Sequence, residues 1–270
     1  MGCLLSEGEH LWLRDGPSSE TSREALRLLF RAVREDAERL GCEMRVLRDF
    51  CEIGDELASV IEDEGWVRMS GPDSWVLEGV PEDDAALLER LSAKGRLHQR
   101  RAVEPWNDAY DVEVLAGPEA AKVDLDRLCA LYENVRRRSL EINTFPIPRA
   151  LFEALLGAED FELSLFRPRG EEAAPIVGFG FGFVGCSTYL PLFLGMDYAY
   201  VRERGLYRQM LRDVVRRAHA NGKSAVHFGY GAGLEKRRFG ARRVETTMYV
   251  ELDDHYAADA VSQVSRHGTS

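Results

Sequence analysis

No stretch of the chain approaches the ~18 consecutive apolar residues that a membrane span requires. The amino terminus has no basic region leading into an apolar core, so no cleavable signal is expected. Cysteine is sparse: Cys3, Cys42, Cys51, Cys129 and Cys186, with no C-x-x-C spacing. An odd, scattered set argues against a disulfide frame and a thiolate zinc site, and it reads as reduced thiols in a cytoplasmic protein. The six histidines are equally dispersed, so no metal is expected. Positive charge is in deficit, with a net charge of −11. That argues against a surface devoted to nucleic acid, although one local basic patch is compatible with it.

What is present is a globular composition, 45% hydrophobic and 30% charged over 270 residues, enough for one large domain or two small ones. The opening MGCLLS fits the lipidation pattern at Gly2 and Cys3. The Ala-, Arg- and Gly-rich composition is bacterial in character, where that modification is not expected.

The chain also echoes itself. Residues 26–50 align with residues 207–231 when Gly41 is set on Gly222. Each segment is an amphipathic helix, with apolar Leu26, Phe30, Val33, Ala37 and Leu40 in one and Tyr207, Leu211, Val214 and Ala218 in the other. Each ends at a glycine suited to a left-handed cap and runs into a short strand, EMRVL or SAVHF. A second helix follows in each copy, GDELASVIEDEGW or GLEKRRFGA, with Gly65-Trp66 answering Phe239-Gly240 in reverse. Each leads to a strand, SWVLEGV or VETTMYVEL.

Between the copies, residues 81–106 read as one long helix and its exit, acidic early and basic late as the helix dipole prefers. Its cluster Arg96, His98, Arg100 and Arg101 is either a solvated face or a contact for a ligand phosphate or carboxylate. Strand DVEVL and helix LDRLCALYENVRRR follow, the latter closing on Arg136-Arg137-Arg138, a cationic helix end. The loop INTFPIP precedes helix RALFEALLG, and strands FELSLF, IVGFGFGFV and STYLPLFL come next. In GFGFGF the glycines present a bare face. It either admits a neighbouring element closely or leaves room for a substrate.

The element order β-α-α-β-β-β-α-β-α-β resembles the GNAT acyltransferase superfamily. The residues carrying the resemblance are Arg202-Glu203-Arg204-Gly205-Leu206-Tyr207 at a helix head, similar to the acyl-CoA signature Q/R-x-x-G-x-G/A. Tyr207 departs from it by replacing the last small residue. The segment LSAKGRLHQRR and the lysine of LEKRRFG are similar to features of the Fem-type and cellulose-biosynthesis-type branch, in which two GNAT-like domains share a chain. The resemblance implies an α+β fold in α/β/α layers, with tandem GNAT-like domains and mixed, mostly antiparallel sheets flanked by helices. The first domain would be truncated. It divides the chain into a partial scaffold domain (1–81), a linking helix (82–110), a catalytic domain (111–253) and a frayed tail (254–270).

The resemblance further implies an N-acyltransferase that moves an acyl group from acyl-CoA to a small or amino-acid-like amine. Its alternatives are a Fem-type transferase using aminoacyl-tRNA and a catalytically idle binding domain. Phosphates would meet Arg202, Arg204, Gly205, Leu206 and Tyr207, because a helix start offers free amides and the positive end of a dipole. The oxyanion donor is expected in LGMDYAY, at the end of the strand before that helix. Asp197 either handles a proton or caps a turn. His227 suits a general base or a packed strand position. The family's thiolate-protonating tyrosine lies four residues before the closing glycine, where this chain has Lys236. The proton donor is therefore expected to be Tyr230 or Tyr207, with Lys236, Tyr198 and Arg100 as substrate-binding residues.

Overall fold

The computed structural model describes residues 11–14, 16, 19–51, 53–138, 145–170 and 173–253. The lipidation pattern at Gly2 and Cys3, residues 142–144 of the INTFPIP loop and the tail 254–270 lie outside them. No described helix is long and apolar enough to cross a membrane.

The described chain forms two compact units, one from residues 1–73 with 244–270 and one from residues 74–243. In the first, α1 (Glu20–Leu40) is capped by Ser19, whose hydroxyl accepts from the Ser22 amide at 3.1 Å. Its apolar stripe (Leu26, Phe30, Ala37) is buried with Ile61 of α2 (Asp55–Asp63), Trp66 and Tyr249. The sheet beside them is three antiparallel strands in the order β1 (Met44–Phe50), β10 (Thr247–Leu252), β2 (Val67–Ser70).

The second unit holds a seven-stranded sheet in the order β4 (Tyr110–Ala116), β5 (Phe161–Pro168), β6 (Gly178–Phe183), β7 (Thr188–Met196), β8 (Ala225–Gly229), β3 (Ser74–Glu78), β9 (Arg242–Val244). Only β7–β8 is parallel among the pairings with defined register. One face is covered by α5 (Leu125–Arg136) and α6 (Arg149–Leu156), where Leu131 and Phe152 pack on Leu163, Leu165, Phe179 and Phe181. The other is covered by α8 (Leu206–Ala220), where Leu211 and Val215 pack on Tyr189 and Val226. The expected α/β/α layering is present in this unit.

Beneath α8 lies a buried polar set. Glu162 on β5, 5% exposed, accepts from Tyr189 Oη at 2.9 Å, Arg217 Nε at 2.8 Å and Asn221 Nδ2 at 3.1 Å.

The internal echo is carried into the backbone. Gly41 (φ 68°) and Gly222 (φ 64°) end α1 and α8 in the left-handed region. The following amides repeat one pattern: Cys42 N–H reaches Ala37 O and Lys223 N–H reaches Ala218 O, both at 2.9 Å. The second helix of each copy, α2 or α9 (Gly233–Arg238), closes in the same way on Gly65 and Gly240. Glycine therefore aligns with glycine there, and the reversed pairing of Gly-Trp with Phe-Gly is replaced.

The copies α1-β1-α2-β2-β3 and α8-β8-α9-β9-β10 trade their last strands. β10 lies between β1 and β2, and β3 between β8 and β9. The compact units divide at 73/74 and 243/244.

Residues 81–106 are not one helix. Leu91 turns extended (ψ 150°), and Ser92 caps a new helix by accepting from Gly95 N–H at 3.2 Å. The segment becomes α3 (Asp84–Arg90), α4 (Ala93–His98), a π-turn (Gln99–Val103) and a 3-10 turn (Glu104–Trp106). All of it belongs to the second unit.

Candidate functional site: a split between β7 and β8

β7 and β8 pair only at their starts, Thr188 with Ala225 and Tyr189 with Val226. Beyond that point no pairing is recorded as β7 continues to Met196 and β8 to Gly229. Each flank carries a β-bulge. On β7, Leu194 faces Gly180 but Pro191 already faces Gly182, so one residue too many lies between them. On β8, His227 faces Val76 while Gly229 faces Trp75, which leaves Phe228 as the extra residue. Bulges take backbone groups out of the ladder and re-aim side chains. A strand paired along one edge turns every second amide to the other, so the part of β7 beyond Tyr189 offers backbone amides to the split. The expected stretch, residues 194–200, covers the end of β7, paired with β6 at Leu194, Gly195 and Met196, and a helix that begins at Tyr198.

That helix, α7 (Tyr198–Arg204), makes the R-x-x-G motif a helix–helix corner. Gly205 (φ 59°) ends α7 and opens α8, its carbonyl accepting from Arg208 N–H at 3.0 Å and Gln209 N–H at 3.1 Å. The amides of Leu206 and Tyr207 precede this first intrahelical bond, as an anion site requires. A Cβ on Gly205 would lie 3.0 Å from Trp106 Cδ1, so glycine is needed both for φ and for the close approach of residues 99–106. The same segment is tied to α8 by Gln209 Nε2 donating to Val103 O at 2.8 Å. Arg100 is exposed on the π-turn, Arg202 is exposed on α7, and Arg204 is half-buried with its carbonyl accepting from Tyr110 Oη at 3.1 Å. Leu206 is fully buried against Gly178, where a Cβ would sit 3.2 Å from its methyls.

The glycine face of β6 admits its neighbours closely at two of three positions. Gly178 admits Leu206 and Gly182 admits the Tyr189 ring, whereas a Cβ on Gly180 would meet nothing within 4 Å. Room is left at Gly180 alone.

His227 lies between Val226 and Phe228, both buried toward α8, so alternation turns it to the opposite face. It is half-buried there, and its Nε2 is 2.9 Å from Ser74 Oγ. Asp197 is the helix cap of α7, accepting from Ala199 N–H at 3.0 Å. Tyr198 stacks beneath Arg138, whose guanidinium carbon is 4.1 Å from the ring centroid. The phenols of Tyr198 and Tyr207 are pushed up by burial, with the Glu235 charge adding to it at Tyr207 and Arg138 opposing it at Tyr198. Both stay protonated near neutral pH and can donate. Tyr230 is buried.

Lys236 lies in α9. It is 4% exposed and its ammonium donates to Gly229 O at 2.9 Å and to Tyr230 O. It clamps the turn after β8, because the left-handed residues Gly229, Gly231 and Ala232 turn the backbone there and two buried carbonyls need donors. Replacing Lys236 with alanine is expected to lower stability by about 2 kcal/mol, with activity falling in step. A urea midpoint that does not move while activity is lost would return Lys236 to the substrate.

Sequence reasoning missed Ser74 and Glu235, and it read Arg138 only as part of a cationic helix end. Glu235 gathers Arg208 at 3.1 Å, Arg238 at 2.6 Å and His98 at 3.2 Å beside Tyr207. Burial pulls His98 below its usual pKa, the Glu235 charge opposing. A separate hollow of about 610 Å³ over β4 and β5, lined by Lys122, Arg127 and Arg167 among others, lies away from the split. Among the described residues no cluster of His, Cys, Asp and Glu could hold a metal ion.

Comparison with known proteins addresses the family and the fold. The family model for the acetyltransferase (GNAT) domain matches residues 92–237. No curated protein matches the chain. Among solved structures, FemX is similar with a TM-score of 0.55 and 13% identity, covering 90% of this chain and 80% of that one. The C-terminal domain of a putative lysylphosphatidylglycerol synthetase from Agrobacterium fabrum is similar with a TM-score of 0.56 and 12% identity, covering 88% and 76%. L-PGS from Bacillus licheniformis gives a TM-score of 0.55 at 12% identity, covering 88% and 77%. At such identities these likenesses speak for the fold. The family match spans more than half of the 270 residues and includes the split and the α7–α8 corner, and the chain belongs to the GNAT family of acyltransferases.

Proposed function

We propose that this chain transfers an acyl group from acyl-CoA to the amine of a small or amino-acid-like acceptor at the split between β7 and β8. The observation that carries the reading is the start of α8, where the Leu206 and Tyr207 amides precede the first intrahelical bond and Arg202 and Arg204 close the preceding helix. Pyrophosphate would take those amides and charge-assisted bonds from the arginines, with Arg100 at the rim. The thioester carbon would then sit in the split, with a backbone amide of β7 beyond Tyr189 toward its oxygen. His227 would take a proton from the acceptor ammonium, and the neutral amine would attack the carbonyl. As the tetrahedral adduct collapses, its nitrogen releases the remaining extra proton to water and the carbon–sulfur bond breaks. Tyr207 or Tyr230 would return a proton to the thiolate.

A second donor is supported by separate observations. The likeness in fold to FemX and to lysylphosphatidylglycerol synthetase domains, together with Tyr207 in place of a small residue, fits an aminoacyl-tRNA. Isothermal calorimetry with acetyl-CoA and longer acyl-CoAs separates the two. Micromolar binding weakened about tenfold by Arg202→Ala/Arg204→Ala is the expected result. Absence of any acyl-CoA binding, with transfer of radiolabel from charged tRNA, would replace the first donor by the second. Absence of both would leave an idle GNAT-like binding domain.

A further inference from the structure

Three structural features converge on the end of β8. The bulge at Phe228 shifts the register between His227 and Gly229. The indole of Trp75 lies against Gly233, where a Cβ would come 2.2 Å from Cζ2 and even alanine is excluded. The Lys236 ammonium holds the carbonyls of Gly229 and Tyr230. Two of these features involve β3, the strand supplied by the first half of the chain. The residue that opens β3 is Ser74, 153 positions from His227 in sequence and 2.9 Å from it in space.

We infer that Ser74 is a positioning residue for His227: its hydroxyl, held on Nε2, sets the imidazole's rotation and its tautomer. This rests on the reading of His227 as the base for the acceptor amine. An imidazole on a strand can rotate about Cβ–Cγ and exchange its proton between two nitrogens, and the bond made by one nitrogen decides what the other presents. Ser74 is 2% exposed, so it acts through His227 and not on a substrate. Val76, opposite His227 in the ladder, has no polar atom to take this role. The hydroxyl has to arrive from the residue two places earlier, and the bulge at Phe228 lies in the register between them. The same arrangement assigns Trp75 and Lys236 to holding the strand end against which that hydrogen bond is measured out.

The test is long-range nitrogen–proton correlation NMR of the whole protein, with the His227 signals assigned from His227→Ala. In the native protein a single tautomer of His227 is expected across the pH range around its titration. In Ser74→Ala the two tautomers should mix and the titration midpoint should move. Ser74→Thr, which keeps a hydroxyl at that point, should restore both. Mixed tautomers in the native protein, or an unchanged spectrum and midpoint in Ser74→Ala, overturn the inference. If Ser74→Ala does not fold, the native tautomer and the Thr variant still decide it.

With a donor that turns over, such as acetyl-CoA with lysine as acceptor, Ser74→Ala should lower kcat about tenfold at constant KM. The acidic limb of the pH profile, where a general base takes up its proton, should move with it. Loss of turnover in His227→Ala with Ser74→Ala at native rate and pH profile overturns the positioning role and spares the base. Native turnover in His227→Ala removes the base assignment, and the inference falls with it.

Discussion

Replacing Glu162 with alanine is expected to destabilise the protein by about 3–5 kcal/mol. The carboxylate lies under α8 and accepts from three side chains, Tyr189, Arg217 and Asn221. Removing it strands the Arg217 guanidinium, which is held by this carboxylate, and leaves the Tyr189 hydroxyl without its acceptor in the core. Glu162→Gln preserves the volume and should cost less. Leucine at 162 together with methionine at 217 should recover much of the loss, because a buried pair replaced as a unit is often nearly neutral.

The pH dependence follows from the same contacts. Burial pushes the Glu162 carboxyl up, but the bonds from Arg217, Asn221 and Tyr189 outweigh it, and the net shift is below the ordinary value of 4.5. A depressed carboxyl contributes stability above its unfolded pKa and loses it as pH falls through the folded one. The native protein and Glu162→Gln should therefore converge in stability as pH falls below the ordinary carboxylate range and through the lowered folded pKa. Asp213 faces the same set and titrates in the opposite sense, its carboxyl raised by burial against the Ser164 bond and Arg217. The measurement is accordingly the difference between native and variant urea midpoints across pH. A loss under 1 kcal/mol in Glu162→Ala at pH 7 would show that water already screens the group.

Gly195→Ala is the second large effect, at about 3 kcal/mol, the upper end for overpacking a core. A Cβ there would come 2.2 Å from Phe179 Cε1, 2.6 Å from the Tyr132 amide nitrogen and 2.7 Å from the Leu131 carbonyl carbon. A ring can swing, but a helix backbone cannot yield locally, so α5 has to lift from β7. Because α5 leads into Arg138, which stacks on Tyr198, binding at the corner should suffer beyond the loss of stability. Thermal unfolding of Gly195→Ala with an unchanged midpoint would mean that α5 and β7 can separate freely.

The parts of this fold that could be read from the chain are those set by neighbours in sequence. The stripe of Leu26, Phe30 and Ala37, the caps at Gly41 and Gly222 and the alternation of β6 each depend on a window of a few residues. So does the position of R-x-x-G at the head of α8. The break at Leu91–Ser92 was equally local but hidden, because the apolar spacing runs through it and only the Ser92 cap signals the restart.

The exchange of β3 and β10 was not legible at all. Both alternate like any half-buried strand, and nothing in such a pattern names the sheet it will enter. The site divides in the same way. Arg202 and Gly205 declare themselves by spacing, whereas Ser74 reaches His227 only through strand pairing. Lys236, read as a reaching side chain, is consumed by carbonyls whose direction depends on the left-handed turn at Gly229.

The traded strands also impose an order on the birth of the molecule. Arg45 of β1 meets Glu251 of β10 across 206 positions, so the middle strand of the first sheet is almost the last described segment to leave the ribosome. Until it does, β1 and β2 have no partner between them. The amino-terminal unit must wait through nearly the whole of synthesis with its sheet open, while residues 74–243 can close theirs earlier. In this chain the half made first is finished last, and its exposure to chaperones and proteases is set by the time taken to translate the other half.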